Sequence, residues 1–217
     1  MAISNNSTGL RPGVCLSTTR PTAPYEGQTI YETDTDLTYV WGGSAWQQVS
    51  GGTAVGNSGL VYITSSTIGT AVSTHVVSNV FNSTYDNYKI VVTNMKHTAS
   101  GGNFYIALSG SSGWYSNVNW MQAGSASWGL DYILNGSRAF IGITDTNTMN
   151  WICEVTNPYV AVAKSVMNTY TSSGSNLYVG SGLGVSASTN SATDFTISLS
   201  SGTMTGGTVT VYGYRNS

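Results

Sequence analysis

A succession of short segments rich in Val, Ile, Thr, Tyr and Phe runs through this chain, and it constrains the fold more than any other feature. Turn sequences separate the segments, as at Ser100-Gly101-Gly102, Asn135-Gly136 and Thr205-Gly206-Gly207. No stretch between them has the apolar period of an amphipathic helix. The predicted strands beyond residue 59 are LVYIT at 60, HVVSNVF at 75, YKIVVTNM at 88, NFYIALS at 103, LDYIL at 130, AFIGI at 139, MNWICEVT at 149, SVMNTYT at 165, NLYVGSG at 176, DFTISLS at 194 and TVTVYGY at 208.

This pattern predicts an all-β protein whose main domain is an antiparallel, jelly-roll-like β-sandwich. A barrel is the structural alternative, and a propeller is disfavoured because no repeat of blade length occurs. Charged residues make up only 7% of the chain, and 31 Ser, 29 Thr and 26 Gly take their place. Because helices of soluble proteins rely on Lys, Glu and Arg for their outer face, this balance also favours strands.

The N-terminal region, residues 1–50, has a pattern of its own. Its first eleven residues are polar, and prolines at 12, 21 and 24 keep the next segment extended, so we expect an arm. The sequences TIYET, LTYVW and AWQQV between residues 29 and 49 predict a three-strand meander. Such a small unit rarely has a self-sufficient core, so we expect it to pack on another chain. The residues expected to mediate this assembly are Ile30, Tyr31, Tyr39, Trp41 and Trp46.

A Gly-rich joint at residues 51–58 marks the expected boundary between this region and the sandwich domain, residues 59–217. The net charge is -2 and the seven basic residues are scattered singly. A nucleic-acid partner is therefore not expected, because binding requires several phosphates to be neutralised together. No basic segment followed by an apolar run occurs, so we expect neither a signal peptide nor membrane insertion.

The acidic residues offer no recognisable catalytic pair. Their only cluster, Glu32, Asp34 and Asp36, coincides with a predicted hairpin turn, where Asp side chains commonly bond the backbone. A cation site is the alternative, and it would be structural calcium because no bidentate Glu follows at loop spacing. We favour the turn.

The histidines and cysteines are also poorly placed for chemistry. His75 and His97 do not form a metal-binding pair, and no G-x-S-x-G sequence is present. Cys15 and Cys153 are too few and too distant for a disulfide framework or a zinc site, so we expect two free thiols. We expect no enzyme activity, no cofactor and no metal.

One aromatic segment stands out, GSSGWYSNVNWMQAGSASWG at residues 110–129, which we predict to be a loop between strands. It places Trp114, Tyr115, Trp120 and Trp128 among Gly, Ser and Asn. Such rings can form a contact surface for a saccharide or a protein receptor. They can equally close the end of the sandwich or pack against a symmetry mate, and this second interpretation is favoured.

Three motifs lie between Arg11 and Val49. An S-T-x-R-P-x-x-P stretch covers Ser17–Pro24, E-G-Q-x-I-Y-E-T-D-T-D covers Glu26–Asp36, and S-A-W covers Ser44–Trp46. Preceded by R-P-G, this arrangement resembles a module common in virion proteins of tailed bacteriophages. The resemblance implies a fibre, an appendage or a head decoration, located in the virion after assembly in the host cytoplasm. It also implies other virion proteins as partners.

Threefold symmetry is common in such particles, and a small meander is well buried around a symmetry axis, so we expect a homotrimer. The leading hypothesis is a short tail fibre or adhesin, attached by its N-terminal module, whose sandwich contacts a host cell-surface glycan or protein. The first alternative is a head decoration or head-fibre protein that stabilises the capsid. The second alternative, a glycan-cleaving tailspike, is disfavoured because paired acids are lacking.

Overall fold

A computed structural model gives the fold and describes residues 12–50, 59–99, 101–123, 125, 127–174 and 177–215. Every regular element in these residues is a β-strand, which confirms the all-β prediction. The chain divides into two compact units, Met1–Asn57 and Ser58–Ser217. The polar stretch 1–11 and the Gly-rich joint 51–58 lie outside the described residues.

The first unit contains one four-stranded sheet in the order β1-β2-β3-β4. The strands β2, β3 and β4 are antiparallel neighbours and form the predicted meander. The arm contributes a short strand, β1, that pairs with β2 in parallel, an addition to the prediction. The strand bounds are β1 (Gly13–Cys15), β2 (Thr29–Glu32), β3 (Leu37–Trp41) and β4 (Trp46–Ser50).

One face of this sheet collects most of its apolar side chains. Ile30 lies opposite Tyr39, and Trp41 lies opposite Trp46. The two indoles meet edge to face with ring centroids 5.5 Å apart, a favourable aromatic geometry. Tyr31 alternates with Ile30 along β2 and therefore lies on the other face, so it does not join the packing group in which the sequence placed it.

The second unit is a sandwich of two antiparallel sheets. The larger has the order β10-β9-β14-β13-β12-β7-β17-β5, with the short β16 beside β7, and the smaller has the order β11-β8-β15-β6. The bounds are β5 (Leu60–Thr67), β6 (Thr74–Val77), β7 (Asn87–His97), β8 (Gly102–Leu108), β9 (Trp114–Ala123), β10 (Ser127–Gly136), β11 (Ala139–Thr144), β12 (Thr148–Thr156), β13 (Lys164–Ser173), β14 (Leu177–Ser186), β15 (Phe195–Leu199), β16 (Met204–Thr205) and β17 (Thr208–Tyr214).

The core of this unit lies between the two sheets. Strand β11 is buried at every position and contacts β14, β9 and β13 of the larger sheet. Among the largest buried side chains are Trp114, Trp151 and Phe104, and the last two meet edge to face at 5.5 Å. The predicted antiparallel sandwich is confirmed, whereas its jelly-roll detail is not confirmed.

Candidate functional site

The aromatic segment that we predicted to be a loop is a β-hairpin formed by β9 and β10. The alternation along β9 turns Trp114 into the core, where it is fully buried, and turns Trp120 onto Tyr178 with ring centroids 5.9 Å apart. Tyr115 and Trp128 point outward and are 49% and 81% exposed. The four predicted site residues therefore separate into two inward and two outward rings, and only the outward pair can contact a partner.

The outward rings belong to a larger surface, the outward side of β9, β10, β13 and β14, which we call the apolar face. The ladders place Trp128 opposite Met121, and Met121 opposite Val179 on the next strand. They likewise place Leu183 opposite Met167. The exposed large apolar side chains of the apolar face are Tyr115, Met121, Trp128, Leu130, Tyr132, Leu134, Met167, Leu177, Val179, Leu183 and Val185.

Strand β14 reverses the usual pattern of a sandwich strand. Its sequence LYVGSGLGVS directs the leucines and valines outward and directs three glycines inward. A strand that faced solvent would carry polar residues on its outer side and large apolar residues on its inner side. The reversal indicates that the outer side of β14 is suited to contact with something other than water.

The inward glycines have a packing reason. A Cβ on Gly180 would lie 2.3 Å from the carbonyl oxygen of Asn119 and 2.6 Å from the ring of Tyr170. A Cβ on Gly184 would lie 3.2 Å from Cβ of Ala139 on β11. Small residues on β14 therefore let the second sheet and the neighbouring side chains approach its backbone closely.

The apolar face is also uncharged. Asp131 lies on the opposite side of β10, where it accepts a 2.8 Å hydrogen bond from Nε1 of Trp120. Lys164 is buried, and its ammonium donates to the carbonyl oxygens of Val160, Val162 and Ser188 at 3.0–3.3 Å. Burial lowers the pKa of Lys164. In the four strands of the apolar face, all of whose residues are described, no charged side chain points outward.

The other half of the same outer surface, on β12, β7, β17 and β5, has a different character. Lys89 and Glu154 form an ion pair at 3.6 Å on neighbouring strands. Thr148, Asn150 and Thr156 occupy most of the remaining outward positions of β12. This half also exposes Leu60, Tyr62 and Ile152, so exposed apolar side chains are concentrated on the apolar face but are not confined to it.

Shallow grooves run across the apolar face. One of about 470 Å³ is lined by Tyr115, Asn117, Tyr132 and Leu183, among others. The side-chain oxygen Oδ1 of Asn117 is buried and has no hydrogen-bond partner in the described part of the chain. A neighbouring groove of about 400 Å³ is lined by Asn119, Ile152, Met167 and Ser181, among others. The first groove is mostly apolar, whereas the second is also lined by Glu154, Asn168 and Thr169. Glu154 is the one acid of these two grooves, so neither groove presents a pair of carboxyl groups.

The acidic cluster of the first unit ties the arm to the meander. Glu32 is fully buried and accepts hydrogen bonds from Nε of Arg20 and, at 2.9 Å, from the hydroxyl of Thr35. The hydrogen bond from Arg20 holds the pKa of Glu32 below its usual value, and Thr35 adds to this effect. Asp34 accepts from the backbone N and the hydroxyl of Ser17 at 2.9 and 2.5 Å, which lowers its pKa.

The guanidinium of Arg20 also lies over the ring of Tyr39, 4.3 Å from its centroid, which adds a cation–π contact. The hydroxyl of Tyr31 donates to Asp36 at 2.6 Å. Each acid of the cluster therefore bonds a side chain, and in two cases the partner belongs to the arm, which we did not expect. Asp34 also bonds its own backbone, as expected of an Asp in a turn. The cluster is structural.

The two histidines are also engaged structurally. His97 is buried, accepts from the backbone N of Ala99 through Nδ1 at 3.3 Å, and lies 3.2 Å from the carbonyl oxygen of Ser201 through Nε2. With both ring nitrogens occupied, it has no free lone pair for proton abstraction. His75 contacts the hydroxyl of Ser66 at 2.9 Å, and burial lowers its pKa. Among the residues that the structure describes, no carboxylate is hydrogen-bonded to this ring as the acid of a triad would be.

Cys15 and Cys153 are free thiols, the first half-buried and the second buried. Burial raises the pKa of Cys153 well above its ordinary value, which disfavours the reactive thiolate. Across the described ranges, no group of three His, Cys, Asp or Glu side chains could hold a metal ion. The same ranges contain no helix long and apolar enough to cross a membrane.

Sequence reasoning missed most of the apolar face, because it singled out rings and not aliphatic side chains. The available signal was the strict alternation in LYVGSGLGVS and in the WGLDYIL sequence of β10, where apolar residues occupy every second position. Alternation predicts a strand with two unlike sides, but it does not tell which side faces the core.

Comparison with protein-family models, with curated protein sequences and with solved structures found no match for this chain.

Proposed function

We propose that this protein is a non-enzymatic structural component of a tailed-bacteriophage virion, and that it acts as a short homotrimeric tail fibre or adhesin. The first unit attaches the protein to another virion protein, and the sandwich contacts the host cell surface. The observation that carries the proposal is that the motif residues of the N-terminal module contact each other.

Ser17 and Arg20 come from the S-T-x-R-P stretch, and Glu32 and Asp34 come from the E-T-D-T-D stretch. The hydrogen bonds between these two pairs hold the arm to the meander. The residues that resemble the phage module therefore form one folded unit with its own internal contacts. This supports the proposal that the unit has the module's role in this chain.

The absence of enzyme activity is part of the proposal. Its support is that both histidines and all three acids of the cluster are engaged in structural hydrogen bonds. A retaining or inverting glycosidase needs two carboxyl groups that face one glycosidic bond. Asp131, the acid nearest the outward rings in sequence, is bonded to Trp120 on the opposite side of β10. A tailspike hydrolase is therefore disfavoured.

Trimer formation through the first unit can be tested by replacing Trp41 with Ala. Trp41 is half-buried against Trp46, and we propose that the rest of its ring lies between chains. Loss of a large ring from a packed interface commonly costs about 3–5 kcal/mol, so the variant is expected to dissociate as well as to melt earlier. Sedimentation velocity would measure the dissociation. An unchanged trimer with an unchanged melting temperature would contradict this packing.

The experiment that separates fibre from decoration is the copy number of the protein in purified particles, measured by quantitative mass spectrometry against the major capsid protein. Tens of copies or fewer are expected for a tail or vertex appendage, and hundreds of copies would indicate a head decoration. Particles that lack the protein altogether would overturn the virion assignment.

Receptor contact through the outward rings has its own test. Tyr115 and Trp128 are the two exposed rings of the predicted set, which is the minimum for a contact surface. Phage particles that carry Trp128→Ala should adsorb to host cells more slowly if the hairpin contacts the receptor, because binding energy concentrates in a few aromatic residues. Trp114→Ala provides the contrast, since that ring is buried and should affect folding instead. Normal adsorption of assembled Trp128→Ala particles would exclude this hairpin as a receptor site.

A further inference from the structure

The apolar face leaves a large apolar surface open. The face has three rings, which present roughly 150–250 Å² each, and eight smaller aliphatic side chains. About half of each side chain is exposed, so their summed exposed area is on the order of 1,000 Å² per chain. The largest apolar patch of a typical monomer is about 300–600 Å². One partner of a standard stable protein interface buries about 800 Å². The summed apolar area of the face therefore exceeds the largest patch of a typical monomer and is comparable to what one side of a stable interface buries.

We propose that the apolar face is covered by a second copy of this chain, so that the sandwich itself is an assembly element. The inference rests on the self-association proposed above and places a major contact in the second unit, where the N-terminal meander alone was expected to provide it. Tyr115 and Trp128 then serve as contacts between subunits and not as receptor contacts.

Charge favours a copy over an unrelated partner. The outward positions of β9, β10, β13 and β14 carry no charged side chain. Around the threefold axis of a homotrimer, such faces can meet without like-charge repulsion and without desolvating an ion, so the surface is suited to contact with further copies of this chain. Partner proteins that bind transiently are usually steered by complementary charge, and this face has none to offer.

The chemistry of the face also favours protein over saccharide. A bound sugar presents many hydroxyls, and each one that is buried needs a hydrogen-bond partner in addition to any aromatic face. Here leucine, valine and methionine outnumber the rings, as Leu177, Val179, Leu183 and Val185 on β14 alone illustrate. Aliphatic side chains at this density resemble the core of a homodimer interface, which is more apolar than other protein surfaces.

The edge of the sheet supports the same conclusion. Strand β10 is the terminal strand of the larger sheet and spans ten residues. It exposes Trp128, Leu130, Tyr132 and Leu134. A long, apolar edge strand invites pairing with another chain, and soluble monomers usually shorten it or place charges on its open face. The single acid of β10, Asp131, points away from the apolar face, so it does not protect that face.

The test uses the full-length protein and charge insertion at the centre of the face. Met167→Glu and Leu183→Glu, made together, place two carboxylates at positions that are each 55% exposed and paired across β13 and β14. Val76→Glu is the matched control, because Val76 is also 55% exposed but lies on β6 of the smaller sheet. All variants should fold, since none of these side chains is in the core, and far-UV circular dichroism would verify it.

Sedimentation velocity is expected to show the parent protein and Val76→Glu as the same oligomer at about 10 µM, and the face variant with a dissociation constant raised about tenfold or more. A face variant that stays as associated as the parent would overturn the inference. So would a parent protein that is monomeric at that concentration.

Methionine oxidation provides a second measurement on the unmodified protein. Met121 and Met167 are half-exposed on the face, whereas Met95, Met149 and Met204 are buried. The single variant Leu183→Glu keeps Met167 and is expected to dissociate for the same reason as the double variant. If a copy covers the face, dilute peroxide should convert Met121 and Met167 to sulfoxides several-fold more slowly in the parent oligomer than in this single variant. Equal rates in both would show an open face and contradict the inference. Protection in a monomeric protein would show that another part of the same chain covers the face, which also contradicts it.

These outcomes are distinguishable from a failure of the proposed function. If Trp41→Ala dissociates the oligomer and the face variant does not, self-association stands but lies in the first unit. If the face variant dissociates but purified particles lack the protein, the interface stands and the virion role does not.

Discussion

The two units of the chain place their apolar side chains in different ways. In the first unit the apolar side chains are mostly half-buried on one thin sheet, and a buried hydrogen bond between Arg20 and Glu32 holds the arm across it. In the second unit two sheets enclose a continuous apolar core, and a further set of apolar side chains faces outward. Stability should therefore depend on a few polar contacts in the first unit and on packing in the second.

The largest expected effect concerns the core of the second unit. Trp151→Ala removes a ring that is 1% exposed and stacked edge to face on Phe104. The expected loss is about 3–5 kcal/mol of unfolding free energy, since a large cavity is left in a rigid sandwich. Urea unfolding followed by circular dichroism would measure it. Val76→Ala, at an exposed position, should change stability by about 0.5 kcal/mol or less.

A comparable loss for both variants would contradict the distinction between buried and exposed positions in the sandwich. The loss of the Trp151 ring is also expected to weaken the second unit and not the first. If the first unit of Trp151→Ala unfolds before the second, the contrast between the two units is wrong.

The second prediction concerns the inward glycines of β14. Gly180→Val is expected to destabilise the sandwich by about 1–3 kcal/mol or more, because its Cβ would lie 2.3 Å from a backbone oxygen that cannot rotate away. Gly13→Ala in the first unit is the control, since its nearest neighbours would lie at an ordinary 3.7 Å. The measurement is the urea concentration at the unfolding midpoint of each variant. An unchanged midpoint for Gly180→Val would show that close packing does not explain the inward glycines of β14.

The contrast between β14 and the N-terminal meander also shows how far sequence reasoning reached. The β-rich segments predicted most strands of both units, because turn residues mark their ends. The pattern failed at β9, where Ser and Asn between the rings resemble a loop, and at β1, whose parallel pairing depends on a distant strand. Neither contact is encoded locally.

The orientation of β14 could not be predicted for a related reason. Its alternation is plain in the sequence, but apolar residues are expected to face the core, and here the glycines do. The close approach of β11 decides the orientation, and that approach is set by the whole sandwich. In the first unit the acids of the cluster were expected to bond the backbone of their own turn, whereas the partners of Glu32 and Asp34 on the arm lie well apart from them in sequence and were not foreseen.

The third prediction tests the polar contacts of the first unit. Arg20→Ala should leave the buried carboxylate of Glu32 without its cation and should remove the contact with Tyr39, so the arm is expected to detach. Hydrogen exchange of peptides that cover residues 29–41 should become faster, whereas exchange in the sandwich should not change. Arg20→Lys is expected to recover little of the lost protection. A lysine ammonium lacks the planar guanidinium that bonds Glu32 and lies over the ring of Tyr39 at the same time.

Arg215→Ala is the matched control, since Arg215 is exposed and lies in the second unit. If hydrogen exchange in residues 29–41 is equally fast in Arg20→Ala and Arg215→Ala, the arm does not stabilise the meander. The first unit would then not depend on its polar contacts.

The smallest expected effect is a difference in pH dependence between the units. The hydrogen bond from Arg20 lowers the pKa of Glu32 below its ordinary value of 4.5, so its contribution to the first unit is present above about pH 4.5 and is lost as pH falls through the folded pKa. Burial lowers the pKa of His97 below 6.5, although nearby Asp145 acts in the opposite direction. Burial also lowers the pKa of His75. The unfolded second unit therefore binds more protons than the folded one at mildly acidic pH.

Lowering the pH from about 8 to about 5 should thus weaken the sandwich while the first unit keeps the contribution of Glu32. Hydrogen exchange, corrected for the intrinsic effect of pH and followed separately in peptides of each unit, would measure the difference. His97→Asn is expected to reduce the pH dependence of the sandwich, because a side chain without a titrating ring takes up no proton on unfolding, and His75→Asn measures the share of the second histidine. A first unit that loses protection before the sandwich over this range would reverse the predicted order, and it would show that the acid cluster responds to protons before the buried histidines do.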